Sequence, residues 1–292
     1  CIRDSIWDDA ARYKEICVVG TVVHVCGGVQ LYRDKPQLKV ADVRVVVQDE
    51  VNLGDFFPTS PKCRQEMASE LQQLVRTVKD PFLKKLLGFF FSKSDWWPRF
   101  QEAPAAKGIH HAYIGGLMEH SLSVGKVADS LCGHYAGVDR SLLITGALLH
   151  DIGKLEELKM ECGIVDYTVQ GRLKGHLVIG SEMVGTAAAK IKDFPEELAS
   201  QVQHLILSHH GRQEFGSPTV PMTVEAFMLS FLDDLDAKMN IIEQLRRKME
   251  NEELSWTDYQ RSLERYLYLG GFEKKVVQVE PDTSPQRQGT LF

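Results

Sequence analysis

All the histidines of this 292-residue chain except His24 lie between residues 110 and 210. Imidazole binds divalent metal ions in proteins, as carboxylate does. The candidates are His120, His150, Asp151, His176, His209, His210, Asp233, Asp234 and Asp236. Neutral imidazole and carboxylate suit borderline ions such as Mn²⁺, Fe²⁺, Co²⁺ and Zn²⁺. A metal site needs three or more such groups at one point. The ordered set therefore predicts a metal centre; the alternative is histidines that merely occupy core and surface positions.

Apolar stretches typical of buried helices precede three of these groups. They are Ile114–Met118 before His120, Leu142–Leu149 before His150, and Val202–Leu207 before His209. Because such stretches must pack inside a helical bundle, the polar group that follows each one is held near the interior. An unpaired buried charge is costly, so we expect the carboxylates to be paired or bound to metal.

The adjacent pair His150-Asp151 lies where a helix is expected to end. Neighbouring side chains on a helix point in different directions. Gly153 follows almost at once, however, and a glycine at this position indicates a helix terminus. A terminus can present both side chains to one metal, and a carboxylate there can also bridge two metals.

A centre of this kind predicts hydrolysis of phosphate esters. Two divalent ions neutralise the phosphate charge and lower the pKa of a bound water towards neutrality. Positioning and electrostatics then supply most of the reduction of the barrier. A serine or cysteine nucleophile is not needed.

The elements that position these groups begin with a region of β character. Ile16–Val25 and Gln37–Val47 are rich in β-branched residues and partly alternating, with Gly27-Gly28 and Asp34-Lys35-Pro36 as turn signals. This predicts a small all-β unit. Composition leaves open whether it is a generic β subdomain or an OB-type barrel that holds single-stranded nucleic acid.

The rest of the chain has a helical pattern. Ser60 is expected to cap a helix that runs to about Val78, and Asp80-Pro81 to start another that ends near Ser92. Further helices are predicted at about residues 111–135, 139–149, 174–192, 195–208, 222–249 and 256–268. The fold class is thus mainly α, an all-helical bundle preceded by a small β-barrel. The expected divisions are 1–50 (β domain, truncated at its start), 51–105 (helical connector), 106–272 (metal-binding domain) and 273–292 (flexible tail).

Composition restricts the class of protein. Apolar residues make up 43% and charged residues 25% of the chain, as in ordinary globular proteins. The net charge of -6 means that any phosphate-binding surface must be local or supplied by metal ions. No apolar run approaches the length of a membrane span, and the six cysteines form no C-x-x-C pair. We therefore expect a cytoplasmic protein with reduced thiols and no membrane association.

Five segments carry a resemblance to a known family. They read HHAYIGGLMEHSLSV, LLHDIGKLEEL, GHLVIGSEMV, LILSHHGRQEFGSP and FLDDLDAKMN. As an ordered set they resemble the HD domain of the YhaM-type 3′→5′ exoribonucleases. The segment GTVVHVCGGVQLYRDKPQLKVADVRVV resembles, less specifically, the N-terminal OB-fold of those enzymes. The resemblance covers essentially the whole chain.

This resemblance implies a role for each motif residue. The first metal would be held by His120, His150, Asp151 and Asp233; Asp233 is preferred to Asp234 because it stands three residues before Asp236-Ala237. A second metal would be held by Asp151 as the bridge, with His176 and one or both of His209 and His210. The expected catalytic residues are Asp151, Lys154 near the substrate phosphate, and Asp236, which orients a ligand.

The resemblance also suggests groups that contact substrate. Lys107, His110 and His111 would line the substrate path; the alternative is a polar helix start with exposed histidines. Lys238 could contact phosphate or be a solvated lysine, and Phe215 could stack a base or pack within its loop, where the family commonly has tryptophan. On the β unit the candidates are Tyr32, Arg33 and Lys35.

The leading hypothesis is a metal-dependent 3′→5′ exonuclease that releases nucleoside monophosphates from single-stranded RNA, with single-stranded DNA as a further candidate substrate. The direction and the exonuclease activity come from the resemblance. Two divalent ions are expected, Mn²⁺ first and Co²⁺, Fe²⁺ or Mg²⁺ as alternatives, in a homo-oligomer. Two other hypotheses stay open: a small-nucleotide or cyclic-nucleotide phosphohydrolase, which would not need a strand-binding module, and a non-catalytic nucleic-acid-binding module.

Overall fold

The computed structural model describes residues 13–18, 21–32, 35–46, 57–92, 95–108, 110–161, 164–249 and 255–270. The chain divides into two compact units, Cys1–Ile241 and Ile242–Phe292, which are described separately. Among the described residues, no helix is both long enough and apolar enough to cross a membrane.

The β character of the N-terminal region takes the form of a two-stranded antiparallel sheet. Strand β1 spans Val23–Tyr32 and β2 spans Lys35–Val45, with an irregularity in register between Cys26 and Gly27. The prediction of a turn at Gly27-Gly28 is wrong. A Cβ atom on Gly27 would lie 2.2 Å from the Lys39 carbonyl oxygen, so this glycine permits close approach of the two strands.

The other expectations for this region have mixed outcomes. The predicted strand Ile16–Val25 is wrong over most of its length, because residues 13–16 form a turn of helix and β1 starts only at Val23. The structure therefore shows a small β element and not a barrel within the described residues. Tyr32 and Lys35 are backbone partners at the end of the hairpin, and Arg33 lies outside the described residues.

Three helices follow: α1 (Arg64–Thr77), α2 (Pro81–Phe91) and α3 (Trp96–Glu102). The start of α2 is as predicted, since the Asp80 carboxylate accepts hydrogen bonds from the backbone N–H groups of Phe82 and Leu83. The predicted cap at Ser60 is wrong. The Ser60 hydroxyl instead donates a 2.7 Å hydrogen bond to Glu119 Oε2, and α1 begins only at Arg64.

Five longer helices build the core around the metal-ligand candidates. They are α4 (Gly116–Cys132), α5 (Arg140–Leu149), α7 (Val169–Ala189), α8 (Glu196–Ser208) and α9 (Val224–Met249). Every residue of α5 from Ser141 to Leu149 is buried. One hydrophobic cluster, which includes Phe90, Leu117, Leu148 and Leu205, joins α1 to α9 and fixes the helix ends in space.

A short helix and a hairpin interrupt the helical pattern between α5 and α7. Helix α6 (Lys154–Glu157) is followed by β3 (Leu158–Glu161) and β4 (Ile164–Tyr167), which pair antiparallel. This hairpin was not predicted from the sequence, because four-residue strands are too short for their alternation to stand out from a helical pattern.

In the second unit, the helix predicted at residues 256–268 is wrong. Isolated antiparallel bridges pair Trp256 with Tyr268 and Gln260 with Arg265. The Trp256 and Tyr268 ring centroids lie 5.2 Å apart. Cross-strand aromatic pairs of this kind stabilise antiparallel pairing, which a helix over these residues would break.

Candidate metal centre

Side chains from three helices meet at one buried point. His120 comes from the first turns of α4, His150 directly follows the last residue of α5, and Asp233 lies in α9. His120 Nε2 lies 3.1 Å from His150 Nε2 and 3.0 Å from Asp233 Oδ1. Asp151 Oδ2 lies 3.4 Å from His150 Nε2. Two imidazoles and two carboxylates thus face one another, and His120, His150 and Asp151 are spaced so that they could hold one ion.

The other oxygen of Asp151 faces a second set of imidazoles. Asp151 Oδ1 lies 3.4 Å from His176 Nε2 and 3.6 Å from His209 Nε2. The ring of His210 packs 4.5 Å from that of His209, and His176, His209 and His210 form a second group that could hold an ion. Asp151 therefore presents one carboxylate oxygen to each set.

Several polar atoms at this point are buried without a hydrogen-bond partner. They include Asp151 Oδ1, His176 Nε2 and His209 Nε2, which face each other. Leaving one buried polar atom unsatisfied costs about 1–3 kcal/mol. A divalent cation between them would satisfy all three atoms at once. The donor set, neutral imidazole with carboxylate, is also the one that borderline divalent ions prefer, so the residues fit a metal.

The five imidazoles share one orientation. In each, Nδ1 lies within hydrogen-bond distance of an oxygen, so that Nδ1 carries the proton and Nε2 is directed towards the centre. The partners are Asp236 for His120 (2.7 Å), Ala147 for His150 (2.9 Å), Glu157 for His176 (3.1 Å), Ile206 for His209 (2.7 Å) and Phe215 for His210 (2.9 Å). This arrangement leaves the Nε2 lone pair available to a ligand.

The charges at the centre are strongly coupled. Burial disfavours an ionised Asp151, but Lys154 and His150 outweigh it and hold the pKa of this carboxyl well below its usual range. Burial likewise opposes a charge on His150, but the Asp151 and Asp233 carboxylates raise the pKa of His150 to about 10. Burial, with the nearby His150, holds the pKa of His209 well below its ordinary value. Burial opposes a charge on His120 as well, but its hydrogen bonds to Asp233 and Asp236 raise the pKa of this imidazole. The metal-free centre thus has ionised carboxylates and a protonated His150.

Glu157 was missed by the sequence analysis. Its buried carboxylate accepts a 3.0 Å hydrogen bond from the His176 backbone N–H and a 3.1 Å bond from the His176 ring. The one available signal was its position in the motif, since a residue three positions after Lys154 lies on the same helix face. Ser123 was also missed; its hydroxyl donates to Asp236, which holds His120.

His110 and His111 adjoin the centre, as expected for residues near a substrate path. The rings of His110 and His111 lie 6.1 Å and 5.1 Å from the His120 ring. His111 has a φ of 49°, in the left-handed region that non-glycine residues rarely adopt. Its backbone N–H donates to Asn240 Oδ1 at 3.0 Å. Burial lowers the pKa of His110 to about 4 and that of His111 to about 3, so both are neutral at pH 7.

A buried hydrogen-bond network supports this strained turn. Glu119, which directly precedes the ligand candidate His120, accepts from Tyr113 (2.8 Å), and the Tyr113 hydroxyl accepts from Asn240 (3.1 Å). Ser60 also donates to Glu119. No sequence signal identifies this network, because its members are far apart in the chain.

The remaining candidates lie at different distances from the centre. Lys154 Nζ is buried 2.6 Å from Asp151 Oδ2. Asp233 is 16% exposed and contacts His120, whereas Asp234 is 59% exposed and pairs with Lys238. Phe215 is exposed, and Lys107 pairs with Asp166 at 2.8 Å. The centre thus contains the five ligand-candidate histidines with Asp151, Asp233, Asp236 and Lys154. Lys238 and Lys107 pair with carboxylates outside it.

Comparison with known proteins agrees with the geometry of this centre. The family model "HD domain" matches residues 117–238, which contain every ligand candidate. The chain is 36% identical to the 3′-5′ exoribonuclease YhaM of Bacillus subtilis (strain 168) over 275 residues, which cover 94% of this chain and 86% of that protein. It is 33% identical to 3′-5′ exoribonuclease YhaM of Geobacillus sp. (strain WCH70) over 285 residues, 97% of this chain and 86% of the relative. No solved structure matches the chain significantly.

The fold and the centre thus define an HD-domain protein, a class whose members bind divalent metals. Within that class, the chain belongs to the family of the 3′-5′ exoribonucleases named YhaM.

Proposed function

We propose that this chain is a metal-dependent 3′→5′ exoribonuclease that hydrolyses phosphodiester bonds of single-stranded RNA and releases nucleoside monophosphates. The observation that carries the proposal is the Asp151 carboxylate, which places one oxygen against each of two imidazole sets. The relatives with this motif order are named as 3′-5′ exoribonucleases.

Two divalent ions, with Mn²⁺ as the expected metal, would bind here. His120, His150, Asp151 and Asp233 would hold one, and Asp151, His176, His209 and His210 the other. Bound ions would neutralise phosphate charge and supply an activated water. Fixing Nδ1 of each histidine on a carbonyl or carboxylate keeps the ligands in place before any ion arrives.

The chain supplies further groups for the substrate. Lys154, held by Asp151, places a buried positive charge where a phosphate would bind, and ion pairing of this kind is strong in a low-dielectric site. Asp236 orients His120 through Nδ1. His110 and His111, neutral at pH 7, would line the path to the centre, with Phe215 and Lys238 further out.

The N-terminal hairpin is proposed to belong to an OB-like strand-binding unit within residues 1–50, with Tyr32, Arg33 and Lys35 as its contacts. Such units bind single strands by stacking and backbone contacts, which would also admit single-stranded DNA. The family resemblance further suggests a homo-oligomer, which light scattering on the purified chain would test against its 32.9 kDa mass.

The test uses a 5′-labelled single-stranded RNA, purified protein and Mn²⁺, with products resolved on a sequencing gel. We expect a ladder that shortens from the 3′ end, and loss of it in EDTA. Asp233→Asn should lose roughly 10³-fold in rate, since metal ions supply several kcal/mol of charge stabilisation. The matched control is Asp234→Asn, its exposed neighbour, which should retain activity. If metal-loaded protein leaves the RNA intact, the proposal is wrong, and small nucleotides become the next candidate substrates.

A further inference from the structure

Two cations lie close to one exposed aromatic ring, on the segment that leads into α7 and His176. Tyr167, the last residue of β4, is 36% exposed. Lys107 Nζ lies 5.6 Å and Arg172 Cζ 5.2 Å from the centre of its ring. We propose that these three residues, the Tyr167 platform, bind the RNA strand next to the nucleotide being removed. Tyr167 would stack a base, and Lys107 and Arg172 would contact the flanking phosphates. The inference rests on the proposed function, because it names a substrate contact of that same centre.

The hydrogen bonds next to Tyr167 connect the platform to the centre. Thr168, the next residue, donates its backbone N–H to the Glu157 carbonyl oxygen at 2.9 Å. The carboxylate of the same Glu157 holds His176. A Cβ atom on Gly171 would lie 2.2 Å from that Glu157 carbonyl, so the start of α7 packs directly on α6. The platform is therefore built on the same backbone that positions a ligand candidate.

The two cations are also close in sequence to site histidines. Lys107 precedes His110 by three residues, and Arg172 precedes His176 by four. Lys107 and Arg172 belong to different segments, yet both contact the one tyrosine between them. An RNA strand that reached the metal centre along either segment would meet the Tyr167 platform.

The charges suit a polyanion even though an acidic residue is present. Asp166 Oδ1 lies 2.8 Å from Lys107 and 3.3 Å from Arg172. One carboxylate shared by two cations leaves one positive charge. This local excess contrasts with the net charge of -6 for the whole chain.

The present contacts do not prevent stacking. The side chains of Lys107 and Arg172 are 46% and 63% exposed, so both can move from the ring to a phosphate. A cation–aromatic contact at an exposed site is weaker than the stack of a nucleic-acid base on an aromatic side chain. Base stacking is also tolerant of sequence, as an exonuclease that removes successive nucleotides requires.

The main competing role is a structural clamp that ties the segment of Lys107 to α7. The experiment separates the two roles by substrate length. The wild-type chain and Tyr167→Ala, Tyr167→Trp and Tyr135→Ala variants would be assayed in Mn²⁺ with a 20-nucleotide RNA and with the methyl ester of a nucleoside 5′-monophosphate, in which methanol replaces the neighbouring nucleotide. RNA affinity would be measured separately by fluorescence polarisation in EDTA, where no turnover occurs. Tyr135 is a matched control, an exposed tyrosine that packs against His134.

We expect Tyr167→Ala to weaken binding of the 20-nucleotide RNA and to raise its KM by about 5- to 150-fold, the range for one base–aromatic stack. Hydrolysis of the methyl ester should change by less than about twofold, because this substrate has no neighbouring base for Tyr167 to stack, whereas loss of a structural clamp would lower hydrolysis of both substrates. Tyr167→Trp should restore binding, and Tyr135→Ala should have no effect. Lys107→Gln and Arg172→Gln should each lower the slope of log affinity against log salt by about 0.7.

If Tyr167→Ala loses activity equally on both substrates, Tyr167 is a structural clamp. If its affinity for the 20-nucleotide RNA is unchanged, Tyr167 does not contact RNA. Either result overturns the platform. If wild-type protein binds RNA in EDTA more tightly than Tyr167→Ala does but does not degrade it in Mn²⁺, the exonuclease proposal fails while the platform stands. If wild-type protein degrades RNA and Tyr167→Ala binds it normally, the platform alone fails.

Discussion

The hydrogen bonds of the imidazoles determine which nitrogen a metal would meet. His150 and His209 each follow the last residue of a helix, and each bonds through Nδ1 to the carbonyl three residues earlier. The same local geometry thus occurs twice, at the C-termini of α5 and α8. The C-terminus of a helix also favours positive charge, which adds to the attraction of the carboxylates for a cation.

Glu157→Gln tests whether the fixed orientation of His176 matters. Both hydrogen bonds from His176 end on Glu157 Oε1. A neutral amide oxygen accepts them more weakly than a carboxylate oxygen does and makes the His176 ring less basic. Loss of such an outer partner typically lowers metal affinity about 10–100-fold. We expect this loss at one of the two metal positions, measured by calorimetric titration with Mn²⁺.

The matched control is the neighbouring carboxylate. Glu156 pairs with Arg99 at 2.8 Å on the surface, so Glu156→Gln should leave the titration unchanged. Equal effects of both substitutions, or none from Glu157→Gln, would show that Glu157 does not position the ligand.

Proton release is the second test at this scale. Burial opposes a charge on His150, but its carboxylate neighbours raise its pKa to about 10, so the metal-free protein carries this proton at pH 7. A metal must displace it, so apparent affinity should rise with pH, about tenfold per unit for one proton. His209 should release none, because burial holds its pKa well below its ordinary value. Burial opposes a charge on His120 too, but hydrogen bonds to Asp233 and Asp236 raise its pKa, so His120 adds to the release. Calorimetry in buffers of different ionisation enthalpy should therefore count about one to two protons; affinity that does not vary between about pH 6 and 8 would contradict this.

The ligand candidates could be named from the sequence because their residue types are few and follow apolar helical stretches. Their supports could not. Glu157, Ser123 and Asn240 act through partners 19, 113 and 129 residues away, and no local pattern records such pairings. Hydrogen bonds between distant segments are decided by tertiary packing, so only the structure reveals them.

At the scale of the elements, the metal centre depends on the close approach of α6 and α7. A Cβ atom on Gly153 would lie 2.1 Å from the His176 carbonyl oxygen. Gly175, just before His176, has a φ of 72° and breaks the helical geometry of α7. Two glycines therefore allow the helix to bring His176 within reach of Asp151.

Gly153→Ala should push α7 away from the centre. Because the obstructing atom is backbone, we expect a loss of about 1–3 kcal/mol in the free energy of unfolding, together with weaker Mn²⁺ binding. Denaturant titration and calorimetry would measure the two effects.

Gly88→Ala is the matched control for this substitution. Gly88 lies inside α2, and a Cβ atom there meets nothing within 4 Å. Alanine should stabilise that helix by roughly 0.5–1 kcal/mol and leave metal binding intact. If Gly153→Ala behaved like Gly88→Ala, the close packing of α6 on α7 would not be what positions His176.

Elements with strong local signals were predicted well. The Asp80 cap and the ends of α5 and α8 agree with the sequence to within a residue. The failures are at Gly27, where close approach of two strands was interpreted as a turn, and at residues 256–268, where aromatic pairs override helical periodicity. Both depend on contacts across the chain that a sequence window does not contain.

At the scale of the whole molecule, the metal centre brings together buried polar atoms that destabilise the metal-free fold. The chain has a net charge of -6, and ionised Asp151 and Asp233 lie among buried atoms that have no hydrogen-bond partner. A bound cation would satisfy these unpaired atoms, and it would do so in the folded state only. Metal binding should therefore stabilise the fold as a whole.

Thermal unfolding measures this coupling. At a free Mn²⁺ concentration about 100 times its dissociation constant, one bound ion adds about 2.7 kcal/mol to the free energy of unfolding. For a chain of this size that corresponds to an increase in Tm of about 5–10 °C, reversed by EDTA. Asp151→Asn, which removes the carboxylate shared by both imidazole sets, should lose most of the shift, whereas Asp234→Asn should keep it. A Tm that does not respond to Mn²⁺ in the wild-type chain would mean that the unpaired atoms at Asp151, His176 and His209 are not a metal site.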